Sequence, residues 1–442
     1  MSDPRDPERN RLSARIGRVA RVGANLSGAA AVRLMGGEDR FAGALKDALG
    51  RSKGPLMKVA QLLATLPDLL PEKYAAELRK LQSNAPPMGW PFVQRRMRAE
   101  LGADWQSKFA SFEQNAAAAA SLGQVHRATL HDGRVVACKL QYPDMASAVE
   151  ADLAQLKTLL GLVKTMDGAL DSSEAIIEVG DRLREELDYA RELKHARLFA
   201  LMLAHEPRIK TPAPVPELST RRLLTMTWLE GEGLLHWVGE DQDTRNRIAD
   251  LLFTAWWGPM THYGVIHGDP HLGNYALTSG AENLHLLDFG CVRIFPPRFV
   301  AGVVNLYNAL LREDRDGVAS AYENWGFKNL NDDLIDALTI WAKFIYGPML
   351  DDRERTIADG VSPGEYGRKE MMTVRARLKT LGPVLVPREF VFMDRAALGL
   401  GAAFLHLKAK RNFARMFQES IAGFSEEALA ARQAEALRTV GL

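Results

Sequence analysis

Cysteine is nearly absent: Cys138 and Cys291 are the only two in 442 residues. Two thiols exclude a disulfide framework and suit a reducing compartment, although sequence leaves a single bridge open. Net charge is missing as well, since 56 Lys and Arg stand against 55 Asp and Glu. No whole-chain field selects nucleic acid or an acidic substrate, so any electrostatic preference must be local. Long apolar runs are also lacking. The stretch Ala396 to Leu407 covers twelve residues and is closed by Lys408, Lys410 and Arg411, well short of the ~20 that span a bilayer. The start, MSDPRDPERNRLSARIG, mixes charges and has no apolar core of a secretory signal. A cytoplasmic protein, soluble or attached to a membrane surface, is expected.

What remains is ordinary globular composition, 47% hydrophobic and 25% charged, in a chain long enough for two or three compact units. Six arginines and no acid lie between Arg9 and Arg33. This pattern fits either a basic helix on an anionic membrane or partner, or a solvated arm. Residues 54 to 82 carry helical periodicity that Pro67 and Pro71 divide into two helices, and Lys58 and Gln61 fall on one face. By periodicity alone that face is solvent-exposed. NAPPMGW, 84 to 90, reads as a linker.

Between Gln124 and Tyr142 the period changes to two around a His131-Asp132-Gly133 turn. This spacing predicts an antiparallel hairpin with Val136, Cys138 and Leu140 on one face and Ala137, Lys139 and Gln141 on the other. Helical patterns come next at about 146 to 165 and 173 to 204, then a proline-rich approach to the short apolar strand in RRLLTMTWLEGEG. After Glu240 the pattern is mainly helical. A small mixed sheet succeeded by a helix-rich half is expected, the kind of pairing in which ligands bind in a cleft.

Two motifs carry the chemistry: HGDPHLGN at 267 to 274 and, after one short strand, LLDFG at 286 to 290. Phosphoryl transfer needs a held triphosphate, charge neutralised by magnesium and an oriented acceptor. Asp269 is the candidate base, Asn274 and Asp288 are candidate magnesium ligands, and Lys139 is a candidate contact for the α- and β-phosphates of ATP. A buried lysine needs a carboxylate, and Glu185, Glu186, Asp188 and Glu192 are candidates in one helix. His267 and His271 resemble a zinc pair by spacing, but the intervening GDP breaks a continuous helix, so hydrogen bonding within the loop is the expected role. The glycine-rich loop of protein kinases is absent, and AAAAASLGQVH occupies its place at 116 to 126. Alanine methyl groups hold a backbone farther from an anion than glycine does, which predicts altered nucleotide selectivity or slow transfer.

These blocks, with VACKLQYP at 136 to 143, resemble the UbiB-type (AarF) atypical kinase family, which is linked to isoprenoid-quinone biosynthesis and lipid homeostasis. The resemblance runs from about Lys53 beyond Arg293 and implies an α+β, protein-kinase-like two-lobed fold with an N-terminal helical extension. It implies a basic arm over 1–50, a helical extension over 51–115, an N-lobe with inserted helices over 116–231 and a helical C-lobe over 232–442. Nucleotide contacts are implied for Ala118, Ala119, Ala120, Ser121, Lys139, Met226 and Leu229. The family's lysine-x-glycine-glutamine signature appears as KVAQ, with Ala60 in the glycine position. By resemblance, Lys58 and Gln61 close over the site, replacing the solvent-face expectation. Glu186 and Asp188 then pair with Lys58, leaving Glu192 for Lys139. The resemblance implies an ATPase or restricted kinase that uses ATP and Mg2+, with a lipid or quinone-precursor ligand and peripheral membrane contact through the basic start. A phosphotransferase of the aminoglycoside or choline type and a nucleotide-sensing scaffold are the alternatives.

Overall fold

A computed structural model describes residues 88–120, 122–151, 153–154, 180–181, 183–358, 361, 366–381 and 387–442. The arginine-rich start, KVAQ with Lys58 and Gln61, Pro67, Pro71 and Ser121 lie outside the described residues. The described residues form two compact units: one contains those up to Leu193 with Pro214–Trp228, the other those of Lys194–Ala213 with Leu229–Leu442. Compared with the division expected from sequence, residues 194–213 fall with the helical unit.

The first unit is built on one sheet. β1 (Ser111–Phe112) and β2 (Ala118–Ala120) pair with the same strand, β3 (Gly123–Thr129). β3 pairs with β4 (Val135–Gln141) through the expected hairpin, whose Gly133 adopts a left-handed φ of 86°. That conformation costs glycine little because it lacks a Cβ. β6 (Leu223–Thr227) closes the far edge against β4. Alternation sorts the faces as predicted: Val136, Cys138 and Leu140 pack with Val93, Met97, Trp105 and Leu223, whereas Ala137 packs with Tyr189, Leu224 and Met226.

Helix α1 (Trp90–Leu101) begins with Pro91 and ends at Gly102. It covers the first face through Val93 and Met97. Its buried Arg96 donates to the carbonyls of Gln141 and Tyr142, both at 3.2 Å, and pairs with Glu100 at 3.0 Å. Thr220 Oγ donates to the other Glu100 oxygen at 2.7 Å. A charge buried in this way is tolerated because each polar group has a partner.

The helical pattern over 173 to 204 is interrupted among the described residues at Leu187 and Asp188. Within the described part, the helix ending near Glu186 stops and α2 (Tyr189–Met202) begins anew. Asp188 Oδ1 accepts from the Arg191 backbone N–H at 3.1 Å. The carboxylate thus satisfies a first-turn donor and restarts the helix, a choice that apolar periodicity cannot register.

The second unit has α3 (Gln242–Tyr263), capped by Asp241 and terminated at Gly264 with φ of 65°. β8 (Val265–His267) then pairs antiparallel with β11 (Val292–Ile294). Between them the motifs are separated by two strands rather than one: β9 (Tyr275–Leu277) and β10 (Leu284–Leu286) form a hairpin. With β5 (Ile209–Lys210) and β7 (Glu232–Gly233) they make a sheet of order β5-β10-β9-β7.

Behind these strands lie α4 (Pro297–Leu311), α5 (Arg315–Trp325), α6 (Asp332–Tyr346), α7 (Arg368–Leu381), α8 (Arg388–Leu407), α9 (Phe413–Ser420) and α10 (Glu426–Val440). Trp257, Tyr307, Tyr346 and Phe417 join in an aromatic cluster at the centre of their core. The apolar stretch Ala396 to Leu407 is the second half of α8, with Ala396, Leu400, Ala403 and Phe404 buried. Among the described residues no helix is long and apolar enough to cross a membrane.

Candidate functional site

In the first unit the candidate phosphate contact is Lys139. β4 places it on the face opposite Cys138, where its neighbour across β6 is Leu224. Lys139 and Glu192 are only 8% and 3% exposed, and Nζ donates to both carboxylate oxygens, at 2.7 and 3.0 Å. The ammonium also lies 5.1 Å from the centre of the Tyr189 ring, within reach of a cation–π contribution. Desolvation acts against a buried ammonium and the carboxylate opposes it. Glu192 stands in the first turn of α2, the turn that Asp188 caps.

Ala118–Ala120 form a strand of the sheet instead of a free loop, with Ala118 opposite Val125 and Ala120 opposite Gly123. Ala118 and Ala119 are exposed. Gly123 allows close strand approach: a Cβ there would lie 2.1 Å from the Leu140 carbonyl oxygen and 3.1 Å from the Tyr189 hydroxyl. Met226 faces Ala137 across the sheet and is buried beside Leu224 and Tyr189. Leu229 begins the next stretch of the second unit.

In the second unit a network of hydrogen bonds holds both motifs. Each ring nitrogen of His267 meets a backbone carbonyl: Nδ1 faces Asp269 O at 3.1 Å and Nε2 faces Asp288 O. The Asn274 amide donates to Asp269 O at 3.0 Å and to Asp269 Oδ2 at 3.2 Å. Its Oδ1 remains for another partner. Gly290 N–H donates to Asp288 Oδ1 at 2.8 Å, and Leu287 N–H donates to Asn274 O at 3.0 Å. His271 accepts from Gly273 N–H at 3.0 Å, a loop-supporting bond.

The phenol of Tyr275 is pushed up from its ordinary value by burial, and Trp256 Nε1 donates to its oxygen at 3.3 Å. Tyr275, buried and neutral, directly follows Asn274 in the chain. Asp288 and the Asn274 carboxamide offer two hard oxygen donors. That is the protein's usual share in a magnesium site, where phosphate and water supply the remainder.

The predicted residues therefore fall into two local groups, Lys139 with Glu192 and Asp269 with Asn274, His267 and Asp288. Glu186 is half-buried, whereas Asp188 serves α2 as its cap and lies 3.8 Å from Arg221. Sequence reasoning missed His195, which is buried and whose Nδ1 meets Phe289 O at 3.1 Å. It also missed Phe199, whose ring lies 5.2 Å from that of Phe289. The only sequence signal was position: His195 and Phe199 come after Glu192 by about one and two turns of α2.

Residues 80–322 match the ABC1 atypical kinase-like domain. Over 382 residues the chain is 26% identical to the mitochondrial atypical kinase COQ8 of Saccharomyces cerevisiae, covering 84% of this chain and 74% of that protein. It is 31% identical to mitochondrial atypical kinase COQ8B of Rattus norvegicus, over 62% of this chain and 52% of that protein. Identity to AarF domain-containing protein kinase 1 of Mus musculus is 32%, over 63% of this chain and 54% of that one. The chain thus spans about half the length of these two mammalian relatives. A solved complex of Rv3197 with erythromycin from Mycobacterium tuberculosis superposes with a TM-score of 0.59 at 26% identity, covering 91% of this chain and 98% of that one.

Proposed function

Because the chain belongs to the ABC1 atypical kinase-like family, we propose that it binds ATP with magnesium and transfers the terminal phosphoryl group to an acceptor hydroxyl or to water. The observation that carries this reading is the buried Lys139–Glu192 pair. A buried ion pair is weak evidence of added stability, whereas a lysine fixed by a carboxylate is an arrangement suited to phosphate contact. In this reading Lys139 contacts the α- and β-phosphates, and Ala118–Ser121, Met226 and Leu229 border the nucleotide.

Asp288 and Asn274 would hold magnesium, which would supply positive charge against the phosphates. Asp269, steadied by the Asn274 amide, takes the proton of the acceptor as its oxygen attacks phosphorus and the bond to the nucleoside diphosphate breaks. Lys58 and Gln61 act as the gate in this proposal, with Glu186 and Asp188 as the acidic partners of Lys58. By resemblance, the acceptor or activator is a lipid or isoprenoid-quinone precursor.

Phosphate release from ATP by the purified full chain tests the reading, measured with and without anionic liposomes and quinone-precursor mimics. Turnover that requires magnesium and is lost in Asp288→Asn supports it. A phosphorylated product dependent on an aminoglycoside or choline would move the protein to the small-molecule phosphotransferases. Nucleotide binding without turnover would leave a sensing scaffold.

A further inference from the structure

The loop that carries Asp269 has a third support besides the bonds from His267 and Asn274. Pro270 rests against Gly399 in the middle of α8. An ideal Cβ on Gly399 would fall 2.0 Å from Pro270 Cγ and 2.7 Å from its Cβ, inside any van der Waals separation. Gly399 is therefore constrained by space. Two turns of helix around it are anchored: Ala396, Leu400 and Ala403 are buried, a Cβ on Gly401 would meet the Tyr366 ring at 2.3 Å, and Trp341 Nε1 donates to Asp394. The helix is a firm bed, and the proline ring lies on its bare backbone.

We propose that Gly399 is a positioning residue for phosphoryl transfer, setting the height of the Asp269 carboxylate through Pro270. This rests on the reading of Asp269 as the proton acceptor. α8 lies beyond residue 322, where the match to the family domain ends, so the assignment adds a working residue to a region that carries none of the motifs. Adding one methyl group lifts the ring and, with it, the adjacent carboxylate. A displacement of about 1 Å at a reacting group costs on the order of 100-fold in rate. Nucleotide affinity is a separate readout: the nearest atoms to a Cβ on Gly399 all belong to Pro270, and the proposed phosphate contact, Lys139, belongs to the first unit.

The test compares wild type, Gly399→Ala, Pro270→Gly and the double variant in the full chain, measuring kcat, KM for ATP and the urea midpoint. The expected result for Gly399→Ala is a fall in kcat of about 100-fold with KM for ATP within about twofold of wild type. The double variant, with the obstructing ring atoms removed, exceeds Gly399→Ala in kcat. An unchanged kcat in Gly399→Ala overturns the proposal, as does a double variant that recovers nothing. Loss of ATP affinity and urea resistance in step with kcat also overturns it, since that pattern describes a folding defect. An inactive wild type defeats the functional reading itself, an outcome distinct from active wild type with indifferent Gly399→Ala.

Discussion

Lys139 Nζ lies within 3.0 Å of both carboxylate oxygens of Glu192, fifty-three residues later in the chain. The two groups are buried together, so removing one leaves the other in a site made for a pair. Glu192→Ala is expected to lower stability by about 3–5 kcal/mol and to abolish turnover. Lys139→Met combined with Glu192→Leu recovers most of that stability and none of the activity. Urea unfolding beside phosphate release checks this, and an active double variant would remove the pair from the chemistry.

Asp288→Asn keeps the shape of the side chain and removes its charge. The acceptor for Gly290 N–H survives as the amide oxygen, so the fold is expected to hold. Turnover should fall by about 100-fold or more, and half-maximal activity should need more magnesium. A magnesium titration of phosphate release decides it; a wild-type midpoint would exclude Asp288 from the cation's shell.

Ala119 is exposed on β2, opposite Gln124. Ala119→Gly allows closer backbone approach to an anion while weakening the strand by about 0.5–1 kcal/mol. Affinity for ATP is expected to rise several-fold, with a changed ratio of ATP to ADP binding. Calorimetric titration with both nucleotides measures it, and unaltered constants would show that the alanine strand does not govern selectivity.

Burial pushes the Asp394 carboxyl up to about 7, opposed in part by the Trp341 indole N–H. Its folded value exceeds its unfolded one, so between about pH 4 and 7 the folded protein binds more protons and loses stability as pH rises. Asp394→Asn should match wild type near pH 4 and exceed it at pH 8 by on the order of 2–4 kcal/mol. Denaturant midpoints at the two pH values provide the comparison. A constant difference across that range would show that Asp394 does not titrate there.

Much of the first unit was legible in its pattern of residues. A period of two placed Val136, Cys138 and Leu140 opposite Ala137, Lys139 and Gln141, and the sheet sorts them in that way. Periodicity names faces but not partners. From the residues alone Glu185, Glu186, Asp188 and Glu192 were equal candidates for Lys139. The resemblance left Glu192 for Lys139, and the structure puts Glu192 there, in the first turn of α2, which Asp188 caps through Arg191 N–H. Long-range contacts were invisible for the same reason: nothing in GLGAA announces that Gly399 lies under Pro270, and nothing near Arg96 points to the carbonyls of Gln141 and Tyr142.

Gln433 on α10 gives one amide nitrogen to two backbone oxygens, Tyr263 O at 2.7 Å and Phe295 O at 2.9 Å. Those carbonyls flank the end of the β8–β11 ribbon opposite His267, and they are 170 and 138 residues distant in sequence from the group that satisfies them. Support for the HGDPHLGN segment therefore comes in part from a helix that contains no motif. Removing α10 would leave the Tyr263 and Phe295 carbonyls at the end of that ribbon without the amide that now meets them.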